Sequence, residues 1–412
     1  MVDSRFRIHA GLALAALCVP VLASAGLSLE QAGRLAREQA PSLAAQQHAL
    51  AGAQAVQPAA ATLPDPRLTL GVDNLPVSGA DRFSLTRDFM TMQRIGVMQE
   101  VPNRAKREAR GAGAQARVER EQAMLVVARL AVQREAALAW LGVYFAERRT
   151  AQLGELEREN RVLQDTLDAR IASGKAMPAE HTMARQEALA LADRRDDAVR
   201  DVAKARAALR RWVGARAVEA LEGDAPGSAL QAESVRAGLH RHAEIAPFAA
   251  MQAMARADVG EASAEARGDW AWEVAYSRRG AQYGDMISLQ FSFDLPWQKG
   301  RRQQPQVVAR QKEVLRIEAE REETLRRHGE EIEAQLAELQ ALTAQRDRLQ
   351  GSGQPLANER VALALASYQA GRGDLAGVLT ARREAIETRL RLIELDAQRA
   401  ALHVRLTTLI AE

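Results

Sequence analysis

The run of residues from 104 to 172 contains no proline, and its only glycines are at positions 111, 113, 142 and 154. As one α-helix, this run would be ~100 Å long, because each residue advances a helix by about 1.5 Å. Helices of globular domains have only three or four turns, so a helix of this length indicates a coiled coil or a barrel of helices. Its apolar residues form a broad face rather than a narrow heptad seam, which favours packing against two neighbouring helices.

The same plan is repeated in the C-terminal half of the chain. Three short markers recur in one order at nearly one spacing: 184–188 recurs as 381–385, Ser173-Gly174 as Ala370-Gly371, and Val101-Pro102 as Leu295-Pro296. Such an ordered recurrence indicates an internal duplication. We therefore predict a first repeat at 26–214, a linker at 215–232 that contains the turn signal Gly223-Asp224-Ala225-Pro226-Gly227, and a second repeat at 233–412.

Each repeat is predicted to contain an opening helical stretch, two strands and a long helical hairpin. The opening stretches are divided by Pro41 and by Pro247, since proline interrupts a helix. The second hairpin is predicted to break at 351–355, where glycine and proline cluster. The predicted strands are 66–74, 83–101, 270–277 and 286–295, and the predicted hairpins are 104–213, with its tip near 172–178, and 300–411, with its tip near 370–375.

Apolar and polar residues alternate along the predicted strands. The apolar members are Leu68, Leu70, Val72, Trp270, Trp272, Ile287, Leu289, Phe291 and Phe293. A period of two over about ten residues, with aromatic residues at the ends, is a weak signature of outer-membrane strands. A half-buried strand of a soluble sheet gives the same alternation, so the strands alone leave both interpretations open.

The first 25 residues are predicted to be an export signal. Arg5 and Arg7 precede an apolar run that ends in Ala23-Ser24-Ala25, a pattern cleaved by signal peptidase, and this run is too short for a membrane span. A buried core helix is the alternative. Cys18, the only cysteine, raises lipidation as another alternative, but the bulky Leu17 before it argues against that. A single cysteine excludes a disulfide framework and a cysteine-ligated metal site.

The duplicated order of helix, strands, long helix, glycine tip and returning helix, after a signal peptide, resembles the TolC-like outer-membrane efflux family. The residues that carry the likeness are 27–32 (LSLEQA), 64–66 (PDP), 99–102 (QEVP), 293–296 (FDLP) and the tip string 367–375 (SYQAGRGDL). The resemblance implies a mainly α protein with a β-barrel part. Three chains with four strands each would form a twelve-stranded outer-membrane barrel, continuous with a periplasmic α-helical barrel.

By the same resemblance, the molecule is a homotrimeric, passive duct in the outer membrane of a Gram-negative bacterium. It would contact outer-membrane lipid, a periplasmic adaptor (membrane-fusion) protein and, through it, an inner-membrane RND pump. The tips would dock the adaptor through Ser173, Gly174, Lys175, Ala370, Gly371, Arg372, Gly373, Asp374 and Leu375. Some family members close with an acidic ring, but the equivalent positions here, Gly377 and Thr380, are uncharged. The candidate gate residues are therefore Arg185, Glu187, Arg382, Arg383 and Glu384, with Asp374 paired to Arg382 or to Arg185.

The segments 73–76 (DNLP) and 90–92 (MTM) resemble the heavy-metal branch of this family, of the cobalt-zinc-cadmium or copper-silver type. Met90, Met92 and Met98 have even spacing, so a strand would place them on one face, where thioethers are weak candidate ligands for soft metal ions. Flexible packing in the wall is the alternative for these methionines. Alternative cargoes are drugs and other organic compounds, or proteins in type I secretion.

No enzyme, no cofactor and no nucleic-acid partner is predicted. His240, His242 and Glu244 could suggest a metal site, but residues two apart do not share a helix face, so they are interpreted as surface residues. Phosphate loops and hydrolase motifs are absent from the sequence. A net charge of +3 is too small to indicate binding to a nucleic acid. A periplasmic adaptor and a structural coiled-coil protein are the rival classes, although neither explains both the duplication and the strands.

Overall fold

The computed structural model of the protein describes residues 26–227 and 230–409. The predicted signal segment, with Cys18, lies outside the described residues. The first half contains β1 (Leu27–Ser28), α1 (Leu29–Gln39), α2 (Pro41–Val56), β2 (Arg67–Asp73), β3 (Met92–Val101), α3 (Arg104–Ala172) and α4 (Pro178–Val213). The second half contains β4 (Leu221–Glu222), α5 (Ala232–Ala237), α6 (Ala246–Ala264), β5 (Trp270–Arg278), β6 (Met286–Phe293), α7 (Gln303–Arg348), α8 (Gln354–Gln369) and α9 (Leu375–Thr407).

Helix α3 is 69 residues long and has a defined start. The side chain of Asn103 caps it by accepting a hydrogen bond from the backbone N–H of Lys106 at 3.0 Å. The backbone N–H of Asn103 donates to the carboxylate of Asp269 at 2.8 Å, and the ammonium group of Lys106 lies 3.0 Å from the same carboxylate. The start of the long helix in the first half of the chain is thereby fixed to the residue that precedes β5 in the second half.

The second hairpin does not break where the sequence predicted. Residues Leu349–Gly353 form a wide π-helical turn, so that α7 continues into α8 without an intervening loop. Pro355 lies in the first turn of α8, where a missing backbone N–H disturbs the hydrogen bonding least. The prediction of a break at 351–355 is therefore wrong, because the wide turn accommodates both glycines and the proline.

Strand β3 is shorter than the predicted 83–101, because it begins at Met92. Phe83 has a φ of 55°, and the carboxylate of Asp88 accepts hydrogen bonds from the backbone N–H groups of Met90 and Thr91. These local turns hold the chain out of the sheet. The alternation of Phe83 and Leu85 with polar residues therefore lies in a loop.

Four strands form one antiparallel sheet in the order β2-β3-β5-β6. Its central pair, β3 with β5, joins the two halves of the chain, with Gly96 opposite Ala275. Strands β2 and β6 have no neighbour on their outer side within the described part of the chain. The sheet therefore has two open edges.

The main hydrophobic core lies halfway along the helices. Trp140 of α3 is fully buried, and its indole N–H donates to the carbonyl oxygen of Leu27 at 2.8 Å. Leu27 also pairs with Leu221 in the short parallel sheet of β1 and β4. This core holds the start of the described chain and the segment after α4 against the middle of α3.

Gly96 provides the first test of this fold. A Cβ atom at Gly96 would lie 2.8 Å from the Thr69 hydroxyl and 2.9 Å from the Glu273 carboxylate, whereas a Cβ at Gly71 meets nothing within 4 Å. We predict that Gly96→Val lowers the free energy of unfolding by about 1–3 kcal/mol through overpacking. Gly71→Val, the matched control on the same sheet face, should leave it nearly unchanged. Equal thermal unfolding midpoints for the two variants would contradict the register of the sheet.

Candidate functional site

The outward face of the sheet is apolar and exposed. The strand register sets its members side by side: Leu68 and Leu70 on β2, Ile95 and Val97 on β3, Trp270, Val274 and Tyr276 on β5, and Ile287, Leu289, Phe291 and Phe293 on β6. The exposed fraction reaches 78% for Ile287. Monomeric soluble proteins rarely expose a continuous apolar surface of this extent, so the surface marks a site of contact with lipid or protein.

The inward face of the same sheet is polar or lined by small residues. Arg94 lies 3.0 Å from the carboxylate of Glu273, and the hydroxyl of Thr69 donates to that carboxylate at 3.0 Å. Ala275 is buried beside them. A half-buried sheet of a soluble protein has its polar residues on the exposed face. Here the exposed outward face is apolar and the polar residues lie on the inward face, which is the reverse of that distribution.

Aromatic residues gather at the end of the sheet that adjoins the helices. The ring of Trp270 lies 6.4 Å from that of Phe293 and 6.5 Å from that of Phe291, measured between centroids. Trp297, just beyond β6, is 87% exposed. Aromatic side chains with a polar atom are typical of the boundary between apolar and aqueous surroundings.

The three methionines of the weak metal hypothesis are not brought together. Met90 lies in the loop before β3, while Met92 and Met98 lie on the inward face of β3, six residues apart. At 3.3 Å per residue, the two strand methionines are about 20 Å apart. The prediction that Met90, Met92 and Met98 share a strand face is therefore wrong, because the turn at Asp88 delays the start of β3.

The two hairpin tips have the same backbone turn. Gly174 and Gly371 both have a φ of 70°, and the next N–H in each turn donates back to the helix end, from Lys175 to Arg170 and from Arg372 to Ser367. This closure needs a left-handed residue, which explains a glycine at both positions. Of the predicted tip residues, Ser173, Gly174, Lys175, Ala370, Gly371, Arg372, Gly373 and Asp374 are exposed, but Leu375 is buried.

A contact between the helices that adjoin the two turns connects the tips, and sequence reasoning missed it. The Tyr368 hydroxyl donates to the carboxylate of Glu180, and the guanidinium of Arg170 lies 4.5 Å from the Tyr368 ring. Burial, together with the bond to Glu180, raises the pKa of Tyr368 to about 12. Leu167 and Leu375 pack around this contact. Sequence spacing gave no signal for a contact between residues so far apart.

The candidate gate residues lie on the helices next to the tips, on the side towards the sheet. Some of them form ion pairs and others do not. Arg383 of α9 lies 2.9 Å from Glu187 of α4, and Glu384 pairs with Arg360 of α8. Arg185 and Arg382 have no carboxylate partner among residues 26–227 and 230–409. Asp374 caps α9 by accepting from the Gly377 N–H at 2.9 Å, and within these ranges it forms no ion pair with Arg382 or with Arg185.

Of the two histidines predicted at the surface, His240 is exposed but His242 is not. His242 is buried, and its ring stacks on that of His328 at 3.8 Å between centroids. His328 lies within 3.1 Å of Glu244 and 2.9 Å of Glu331. His242 lies at a junction of short 3-10 turns rather than in an α-helix, which turns it inward. In the part of the chain that is described, no three His, Cys, Asp or Glu side chains are placed to hold a metal ion.

Comparison with known proteins identifies the fold. No family model and no curated protein matches the chain. It superposes with a TM-score of 0.79 on a membrane protein from Pseudomonas aeruginosa, at 18% identity over 92% of this chain and 89% of that chain. The outer membrane protein VceC from Vibrio cholerae gives 0.78 at 19% identity, over 92% and 95%. CusC gives 0.74 at 14% identity, over 93% and 92%.

These matches show that the chain has the fold of outer-membrane channel proteins. The match extends over both halves of the chain, since more than nine-tenths of it is covered. Within the described residues, the helices include none that is both long and apolar enough to cross a membrane.

The buried histidine generates a pH prediction. Burial and the neighbouring His328 lower the pKa of His242 from 6.5 to about 4. The unfolded chain therefore binds a proton at this position between about pH 6.5 and 4 when the folded chain does not, so acid removes stability over that window. We predict that His242→Asn flattens the fall of the unfolding midpoint between pH 7 and 5. His240→Asn, an exposed neighbour, is the control and should keep the wild-type slope. Identical slopes for His242→Asn and wild type would contradict the assignment.

Proposed function

We propose that the protein is the outer-membrane channel of a tripartite, RND-type efflux system, and that it acts as a passive exit duct across the periplasm and outer membrane of a Gram-negative cell. The observation that carries this proposal is the reversed polarity of the sheet, which has apolar residues outside and Arg94, Thr69 and Glu273 inside. The shared fold with VceC and CusC supports it. The duct has no catalytic role and needs no cofactor.

The open edges of the sheet require partners, and three copies of this chain would supply them. A backbone edge left unpaired in lipid is too costly to exist, so membrane strands must close into a barrel. Four strands cannot close alone, but three chains give twelve. In this assembly β6 of one protomer pairs with β2 of the next, and the polar inward face lines the lumen.

The aromatic end of the sheet would lie at the periplasmic boundary of the membrane. Trp270, Phe293 and Trp297 are at the end that continues into the helices, where aromatic anchors are expected. The opposite end holds the loops at 74–91 and 279–285, which would face the cell exterior. The helices would then extend from the membrane into the periplasm by ~100 Å, given the length of α3.

The hairpin tips, at the far end of the helices, would dock the periplasmic adaptor. The two tips present the same backbone turn with exposed residues around Gly174 and Gly371, which suits a partner that binds both repeats in a similar way. The adaptor would connect the duct to an inner-membrane pump, which supplies the energy. The ion pair of Glu187 with Arg383 and the bond of Tyr368 with Glu180 would hold the tips together in the closed duct.

Heavy-metal cations are the proposed cargo. The support is the resemblance of the segments at 73–76 and 90–92 to the metal-exporting branch. The separation of Met92 from Met98 removes a thioether site from this argument, so the cargo would pass through without a dedicated ligand set in the strands. Drugs and other organic compounds, or secreted proteins, remain the alternatives, and parallel tolerance assays against metal salts and organic toxicants separate them.

The membrane assignment is tested by an arginine on each face of β6. Leu289→Arg places a charge on the apolar face, at a cost of about 2–4 kcal/mol per chain near the bilayer midplane. Gln290→Arg, the matched control on the adjacent residue, places it on the inward face. We predict that Leu289→Arg lowers the yield of assembled protein in outer-membrane fractions and that Gln290→Arg does not. Equal yields of the two variants would contradict a lipid-facing sheet.

The docking role of the tips is tested by Gly371→Trp. A φ of 70° disfavours any side chain, but the tip is remote from the sheet, so the protein should still assemble and insert. We predict a loss of metal tolerance in cells, with Gly174→Trp acting in the same direction but less strongly. Gly79→Trp, at another left-handed glycine in the loop after β2, controls for backbone strain and should keep tolerance. Full tolerance with tryptophan at both tips would show that docking lies elsewhere.

A further inference from the structure

A cavity of about 360 Å³ lies between the two hairpins, above the tips. Four helices line it: α3 and α4 from the first half of the chain, and α8 and α9 from the second. Most of its wall is apolar, formed by Leu156, Leu191, Val361, Leu365, Leu379 and Ile386. A volume of this size is at the lower end of the range for pockets that bind small organic molecules, which often lie between the helices of a bundle.

Asn160 brings an unused hydrogen-bond acceptor into this apolar wall. Its exposed fraction is 5%, and its amide nitrogen donates to the carbonyl oxygen of Ala184 at 3.3 Å. The amide oxygen has no hydrogen-bond partner. A buried acceptor without a donor costs free energy, and because Asn160 lines the cavity, a hydroxyl group on a bound molecule would satisfy this oxygen.

Arg382 brings an unpaired positive charge to the same cavity. Its Nε atom is buried and has no hydrogen-bond partner, and in the described ranges no carboxylate pairs with its guanidinium. The neighbouring charges are already occupied. Arg389 contacts Glu159 and Asn358, while Glu187 is paired with an arginine outside the cavity lining.

We propose that this cavity binds a small amphipathic organic anion. Its acidic group would accept hydrogen bonds from Arg382, a hydroxyl group on it would donate to the Asn160 oxygen, and its hydrocarbon part would lie along the leucine wall. A single water molecule could bridge the two polar atoms, but it would leave the apolar part of the cavity unfilled. The combination of an unpaired cation, an unused acceptor and an apolar wall specifies the chemistry of the ligand.

The cavity also gives such a ligand a mechanical effect. Its wall is drawn from both repeats, so a bound molecule contacts α3 and α4 on one side and α8 and α9 on the other. A ligand that fits the cavity at this separation of the two hairpins stabilises the conformation in which the hairpins are so separated. The inference goes beyond the proposed duct, because it assigns an effector site whose occupancy restrains the movement of the hairpins above the tips.

The test is equilibrium binding to the full-length protein in lipid nanodiscs, with radiolabelled 3-hydroxydecanoate as the probe. Decanoate lacks the hydroxyl group, and decylamine carries the opposite charge. The affinity should therefore be highest for 3-hydroxydecanoate, lower for decanoate and lowest for decylamine. Arg382→Gln should weaken binding of the hydroxy acid by about tenfold or more, since it removes a charge-assisted hydrogen bond. Arg185→Gln, the matched control, removes an arginine that is exposed on α4 and does not line the cavity, so binding should be unchanged.

A second variant keeps the charge and removes the space. Ala362→Phe places an aromatic ring at the cavity wall, and it should also weaken binding. Amide hydrogen exchange should slow around 156–160 and 379–389 when the probe binds to the wild-type protein. Equal affinity of wild type, Arg382→Gln and Ala362→Phe would show partition into lipid and overturn the proposal. No saturable binding to the wild type would overturn it as well, since the cavity would then hold only water or a side chain of a neighbouring copy.

Discussion

The rest of the structure depends on a sheet that cannot be stable in water by itself. Its outward face is apolar from β2 to β6, and at its two edges β2 and β6 have no strand partner among residues 26–227 and 230–409. Contact with lipid would cover the apolar face, and strands of neighbouring chains would pair with the open edges. Closure into a barrel in the membrane would do both at once, and for this reason we propose it, with the long helices extending beyond the membrane.

Contacts between the two halves of the chain attach this small sheet to the long helices. Each half contributes two strands, and β3 pairs with β5 so that the sheet crosses from one half to the other. At the same point, Asn103 and Lys106 of the first half bind Asp269 of the second. Further contacts, such as that of Tyr368 with Glu180, hold the two halves together at the tips.

Much of the fold could be predicted because its signals are local. The absence of proline predicted α3, the glycines predicted both tips, and a period of two predicted the faces of the strands. The predicted start of β3 was wrong because a loop with alternating residues has the same pattern as a strand. The turn at Asp88 depends on side-chain hydrogen bonds, which the periodicity of the sequence does not predict.

The site residues that sequence reasoning missed are those defined by distant contacts. Tyr368 and Glu180 meet across 188 positions, and Asn160 is notable only because Arg382 lies in the same cavity wall. His242 was predicted on the surface because a helix was assumed, whereas short turns bury it against His328. In each case the chemistry comes from packing between residues that are far apart along the chain, and no spacing in the sequence encodes it.

The central claim is that three copies close one barrel through the open edges of the sheet. Electron cryomicroscopy of the protein extracted from outer membranes tests this most directly, since it resolves both subunit number and strand pairing. The account predicts a threefold particle with twelve strands, in which β6 of each protomer pairs with β2 of the next. A monomer with free strand edges, or a sheet covered by a different protein, would contradict it.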